Sequence, residues 1–381
     1  MKNKLPSFIE CYRKLISIPS VSSTDRSLDC SNKILINVLA NWFDDLGLKV
    51  ELNSIPNTNN KFNLLAKTRD KLGGLMLTGH TDTVPFDPIF WKYDPFTLTE
   101  FNNKLYGLGT VDMKGFFAFV VDVLCDINIK KLQKPLYILA TADEETTMIG
   151  ANIFSRSTKL RPDFAIIGEP TSLKPVCEHR GYISSIIRVS GKSGHSSIFY
   201  SDINTIELMQ KVIFNLIKLR DFFKKNKYNK FTKPHLIVNF GCIKGGDVAN
   251  RVCSYCELHL DIRFIPSITI NDVNELVNKV LKPITIKWGN RITIETLYPP
   301  IPAYKCSTDN IFIKKIQKLL NKNLEVVNYC TEAPFIQQLC PTVVFGPGSI
   351  KQAHQPNEFM HMSYIKPTYN SIHRIINHFC N

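Results

Sequence analysis

No apolar run in the 381 residues approaches the ~20 needed to cross a bilayer, so no membrane span is read from the sequence. No apolar signal segment follows the basic start Met1-Lys2-Asn3-Lys4, because Glu10 and Arg13 interrupt it; a cytoplasmic protein is expected. Internal repeats and low-complexity tracts are missing. Acidic residues are the scarcer charge, 33 against 47 Lys and Arg, which leaves a net +14. Such an excess raises the question of a nucleic-acid or membrane partner. The basic residues, however, form no sustained stripe with interleaved aromatics, so neither partner is expected. Their densest cluster, Lys218 to Lys233, includes Asp221 and reads as a helix end and loop. The eleven cysteines are an odd number without small-scaffold spacing, which argues for reduced thiols. Cys253-Ser-Tyr-Cys256 lacks the second pair that a zinc knuckle needs. Tyr106-Gly107-Leu108-Gly109 lacks the further glycine of a dinucleotide loop.

What is present is ordinary globular composition, 44% hydrophobic and 21% charged, at a length suited to two domains. The informative stretch is Leu75 to Thr78, a short apolar run that ends at Gly79 and is followed by His80 and Asp82. The pattern recurs. Pro135 to Thr141 is followed by Asp143, Glu144 and Glu145; Phe164 to Ile167 by Gly168 and Glu169; Thr342 to Phe345 by a Gly-Pro-Gly turn and then His354. Apolar runs of this kind read as buried strands of a parallel sheet, and stretches of helical spacing alternate with the strands along the chain, as in Ser31 to Leu46 and Phe116 to Cys125. The expected class is α/β, a mostly parallel sheet with ligands gathered beyond its carboxyl edge. A glycine-rich turn, Gly107 to Gly115, adds Asp112 near the start of a helix. Between Tyr182 and Trp288 the pattern changes to paired strands with two helices. The last strand is expected at Ile284 to Trp288, and the helices at Ile203 to Lys218 and Asp272 to Leu281. This reads as an inserted α+β domain. The expected division is 1–178 for the first part of the catalytic domain, 179–296 for the insertion and 297–381 for the second part.

Two imidazoles and five carboxylates in one cleft would repel each other's charge and raise each other's pKa. Divalent cations relieve this, and a mixed imidazole and carboxylate set suits zinc, cobalt or manganese better than calcium or magnesium. The count suits two metals sharing a carboxylate. Glu144 and Glu145 are adjacent and point in different directions. One can therefore bind metal while the other stays free as a general base. Asp82 can hydrogen-bond a ligand imidazole and fix its tautomer.

The motifs Gly79-His80-Thr81-Asp82-Thr83-Val84-Pro85, Gly109-Thr110-Val111-Asp112-Met113-Lys114-Gly115, Asp143-Glu144-Glu145, Gly168-Glu169-Pro170-Thr171 and Gly194-His195-Ser196 together resemble the di-zinc amidohydrolase and exopeptidase family, over nearly the whole chain. The resemblance implies two zinc or cobalt ions. His80 and Glu169 would hold one, Glu145 and His354 the other, and Asp112 would bridge them. It implies Glu144 as general base and acid, with Asp82 supporting His80. It also implies a homodimer whose inserted domain is lid and dimer surface, with His195 helping to stabilise the oxyanion in a neighbouring subunit. Asn250 and Arg263 would bind the polar end of a small-molecule substrate. Within the family, Tyr329 to Phe335 and Pro299 to Pro302 look most like the branch that removes acetate from N-acetylornithine, and Glu332 would then hold the substrate's amine. A desuccinylase, dipeptidase or aminoacylase of the same family is the first alternative. A catalytically silent metal-binding or nucleic-acid-binding paralogue is the second.

Overall fold

The computed structural model describes residues 5–198, 204–225 and 236–381. The basic start Met1 to Lys4, Ile203, His235 and the latter part of the Lys218–Lys233 cluster lie outside the described residues. The chain folds as two compact units. One comprises Met1–Cys177, Cys306–Glu325 and Thr331–Asn381; the other comprises Glu178–Lys305 and Val326–Cys330.

The first unit is built on a sheet whose strands follow the order Lys49–Ser54, Phe62–Lys67, Leu136–Thr141, Leu75–His80, Phe164–Ile167 and Thr342–Val344. The first three pair antiparallel. The last four pair parallel, with His80 opposite Thr141 and Thr78 opposite Ile167. Parallel strands covered on both faces are apolar throughout, and every residue of Leu75–His80 and Leu136–Thr141 is buried. The helix Phe116–Asp126 is apolar nearly all round, as befits a buried helix, and packs against both Phe8–Ile16 and Ile365–Cys380. Because the four strands run the same way, everything that follows them emerges on one edge. His80 ends one of them, and Glu144, Glu145 and Glu169 follow the others within a few residues.

The second unit has a four-stranded antiparallel sheet in the order Leu236–Gly245, Tyr255–Phe264, Gly181–Ser190 and Ile292–Ile301. Alternate residues of Tyr255–Phe264 are buried, as period two requires. The helices Thr205–Lys225 and Ile270–Trp288 supply the rest of its core through Val212, Leu216, Val277 and Leu281. The strand expected at Ile284 to Trp288 is instead the last stretch of the second helix, which continues through Pro283. Ile284 falls on the same helical face as Val273, Val277 and Leu281 and is buried with them. Burial of that face outweighs the hydrogen bond that proline removes. The strand comes afterwards, at Ile292–Ile301.

Candidate metal centre

His80 ends its strand with the side chain 1% exposed. Its Nδ1 lies 3.0 Å from the backbone carbonyl of Asp82, which only accepts, so Nδ1–H donates and Nε2 is left facing carboxylates. Nε2 is 3.1 Å from Asp112 Oδ1 and 3.6 Å from Glu169 Oε1. The other oxygen of Asp112, Oδ2, is 3.4 Å from His354 Nε2, which in turn is 3.0 Å from Glu145 Oε2. One continuous path therefore runs Glu169, His80, Asp112, His354, Glu145, with the Asp112 carboxylate between two imidazoles. His80, Glu144 and Glu169 offer ligand atoms within 4.8 Å of one another, and so do His80, Asp112 and Glu145.

The electrostatics of the cluster favour positive charge. Burial raises Glu169 and Glu145, and Asp112 raises both further. Burial lifts Glu144 well above the glutamate range; His80 opposes this, and Glu169, Glu145 and Glu332 add to it. Burial would likewise raise Asp112, but hydrogen bonds from His354 and His80 win and hold it below the usual carboxylate value. Burial would lower His80, yet Glu169 and Asp112 push it well above the usual imidazole value. The hydrogen bonds to Asp112 and Glu145 push His354 up to about 11. Two imidazole Nε2 atoms thus sit against carboxylate oxygens, an arrangement that needs either protons or cations between donors. The donor set fits divalent metal ions. Nδ1–H of His80 is already committed, as in metal-ligating histidines.

Asp82, expected beside His80, is fully buried and also holds two backbone amides. Its carboxylate accepts the backbone N–H groups of Glu144, at 3.1 Å, and Glu145, at 3.0 Å, and lies 3.6 Å from His80 Nδ1. It therefore ties the turn after Leu136–Thr141 to the end of Leu75–His80. Two groups went unforeseen. Lys61, 1% exposed, pairs with Asp143 and Asp29 at 2.8 Å each, pinning the residue before Glu144. Asp143 is itself held at φ 57, a strained conformation for a residue with a side chain. Glu358 accepts backbone N–H groups from Gly109, Val111 and Asp112. Burial and Asp112 push it up to about 7, with the backbone donors pulling it down. An isolated lysine or glutamate carries no spacing signal that could have marked either one.

Glu332 is fully buried. Its Oε2 lies 2.9 Å from Thr141 Oγ1, and its Oε1 has no hydrogen-bond partner among the described residues. Burial pushes it up to about 7. His195, Asn250 and Arg263 belong to the second unit and are described within it. His195 is exposed, faces Arg251 across a two-residue ladder, and its Nδ1 accepts the N–H of Ser197. Asn250 is exposed and its backbone carbonyl accepts from Ser196. The Arg263 guanidinium forks onto Asp261 at 2.9 and 3.2 Å and stacks 4.0 Å from the Tyr182 ring.

Residues 76–378 match the model of peptidase family M20/M25/M40. The chain belongs to this family. It is 57% identical, over the full length of both chains, to the acetylornithine deacetylase of Erwinia tasmaniensis. In three dimensions it is similar to an M20 family metallo-carboxypeptidase from Sulfolobus solfataricus, with a TM-score of 0.76 at 18% identity, covering 98% of this chain and 99% of that one. It is also similar to a dinuclear metal-binding M20 peptidase of Bacillus subtilis, with a TM-score of 0.67 at 12% identity, covering 98% and 97%. These likenesses agree with the expected α/β class and its largely parallel sheet.

Proposed function

We propose that the chain is a metal-dependent amide hydrolase that removes acetate from N2-acetyl-L-ornithine to give L-ornithine, a step of arginine biosynthesis. The reaction class rests on one observation, the unbroken path from Glu169 through His80, Asp112 and His354 to Glu145. The substrate is supported by the 57% identity to an acetylornithine deacetylase over the full chain. In this reading His80 and Glu169 would hold one divalent ion and Glu145 and His354 a second, with Asp112 available to both; the donors suit zinc or cobalt. Bound ions supply Lewis acidity toward the amide carbonyl and the attacking water.

The chain's own residues do the rest. Glu144 accepts a proton from water as its oxygen bonds to the carbonyl carbon. It then returns the proton to the nitrogen as the C–N bond breaks, releasing acetate and the amine. Asp82 fixes the Glu144–Glu145 backbone and steadies His80. Arg263 and Asn250 take the substrate's carboxylate, His195 stabilises the developing oxyanion in a neighbouring subunit, and Glu332 favours a cationic side chain through its charge. The second unit serves as lid and dimer surface in a cytoplasmic homodimer. Its edge strand Leu236–Gly245 has a partner on one side only among the described residues, and Ile206, Phe214 and Ile243 stand exposed together along a groove.

The test is acetate release from N-acetylornithine by purified protein, after chelation and again after adding zinc or cobalt, with succinyl-diaminopimelate alongside. Metal-restored activity on acetylornithine alone is the expected result; activity only on the succinyl substrate would keep the mechanism and overturn the substrate. Glu332→Gln should raise KM for acetylornithine more than for acetylated neutral amino acids, and equal effects on both would remove Glu332 from selectivity.

A further inference from the structure

Glu358 lies four residues beyond His354 and is 1% exposed. Immediately after it, Phe359–His361 pairs antiparallel with Lys104–Tyr106, Phe359 opposite Tyr106. The ladder continues one step further, since Gly107 N–H donates to the Glu358 carbonyl at 3.0 Å. This register carries the Glu358 side chain to the turn that follows Tyr106. There Oε1 accepts the N–H groups of Val111 at 2.6 Å and Asp112 at 3.0 Å, with Thr110 Oγ1 at 3.4 Å, and Oε2 accepts Gly109 N–H at 3.1 Å. Three amides of one turn thus close on one buried carboxylate. Gly109 takes φ 83 to allow it, and a Cβ there would meet the Lys114 side chain at 2.7 Å. From the other side the same turn is held by the Tyr12 hydroxyl on the Thr110 carbonyl, and by Lys114 Nζ on the Ile18 carbonyl at 2.9 Å.

We infer that Glu358 is a positioning residue for the metal centre: its carboxylate fixes the Gly109–Asp112 turn so that the two oxygens of Asp112 face His80 and His354 at once. The same residue anchors the segment that carries His354, so one side chain sets the distance between two ligands that are far apart in sequence. Nothing in the chemistry requires Glu358 to touch substrate or metal. A glutamine at this position would keep the volume but turn one oxygen into a donor. Either Gly109 N–H or the Val111 and Asp112 pair would then face an N–H group, and the turn must move.

The inference rests on the metal-centre reading but not on the identity of the substrate. The experiment measures zinc and cobalt binding to metal-stripped wild type, Glu358→Gln and Glu358→Asp by calorimetry, with the visible spectrum of the cobalt forms and far-UV circular dichroism. Wild type should bind two ions; if it binds none, the metal-centre reading itself fails. Glu358→Gln should weaken binding of at least one ion by roughly 10–100-fold, as loss of a residue supporting metal ligands does, and alter the cobalt spectrum. Its kcat should fall by a similar factor with KM little changed, and Glu358→Asp, which keeps the charge, should recover part of the loss. A folded Glu358→Gln protein with wild-type affinity, stoichiometry and cobalt spectrum would overturn the inference. Failure of both variants to fold would also overturn it, by making Glu358 a residue of stability alone.

Discussion

His80 and His354 present the same atom, Nε2, to opposite oxygens of Asp112, yet they are built differently. His80 ends a strand paired on both sides and is 1% exposed; its ring is held by a backbone carbonyl two residues on. His354 follows the short turn Ile350–Gln352, sits at φ 59 and is 54% exposed. A ligand at the end of a buried strand needs no ordering when a cation arrives. A ligand on an exposed loop pays for its placement with backbone strain, and relies on Glu145 and Asp112 to stay in place. One half of the centre is thus part of the core, and the other is closed over it by a loop.

The largest effect should come from removing each histidine in turn. His80→Ala deletes the donor that faces Asp112, Glu169, Glu144 and Glu145 together, and is expected to leave no stably bound ion and no activity above background. His354→Ala should retain one ion per chain with reduced activity. Metal content after desalting, read beside acetate release, checks both, and equal stoichiometry in the two variants would erase the distinction between the halves. Glu144→Gln should lower kcat by about 10²–10⁴-fold, the usual worth of a general acid–base group, with two ions retained. Because Glu144 lies within ligand range of His80 and Glu169, loss of an ion in this variant would make it a ligand of the strand-borne half instead.

Lys61 sharpens the comparison from outside the metal set. The turn carrying Glu144 and Glu145 is held from two sides, by the Asp82 carboxylate on its amides and by Lys61 on Asp143. Lys61→Met leaves Asp143 and Asp29 without their shared cation, and breaking a buried pair in this way should cost about 3–5 kcal/mol. Urea unfolding of the metal-stripped protein measures it. A change below roughly 1 kcal/mol, the worth of an exposed pair, would show that the turn does not depend on Lys61.

The sequence made the strand-borne half of the centre readable, for a physical reason. A buried parallel strand must be apolar, so a histidine or glutamate directly after an apolar run stands out. Direction then follows, since parallel strands share a carboxyl edge. The turn Gly107–Gly115 was readable for its glycines. The groups that hold these residues in place were not. Asp82 was readable beside His80, but not its hold on two amides; Glu358 acts on three amides and Lys61 on a side chain far away in sequence, and backbone amides are present at almost every position, so they leave no pattern. The helix end at Ile284 to Trp288 was hidden by Pro283, whose local preference gave way to burial of Ile284 with Leu281 and Val277.

The smallest expected effect concerns Glu332, which touches neither histidine but feels the field of His80. Burial pushes its carboxyl from the usual 4.5 up to about 7, and the unpartnered Oε1 shows why: ionised, it has nothing to accept from. The folded chain holds this proton more tightly than the unfolded chain does. Stability therefore falls as pH climbs from about 4.5 to about 7 and stays lowered above that, by roughly 3 kcal/mol at one pKa unit per 1.4 kcal/mol. Glu332→Gln removes the titration. In metal-stripped protein the variant should match wild type near pH 4.5 and exceed it in thermal midpoint at pH 8. A gap of the same size at both values would mean that Glu332 titrates alike in the folded and unfolded chain, and that burial does not raise it.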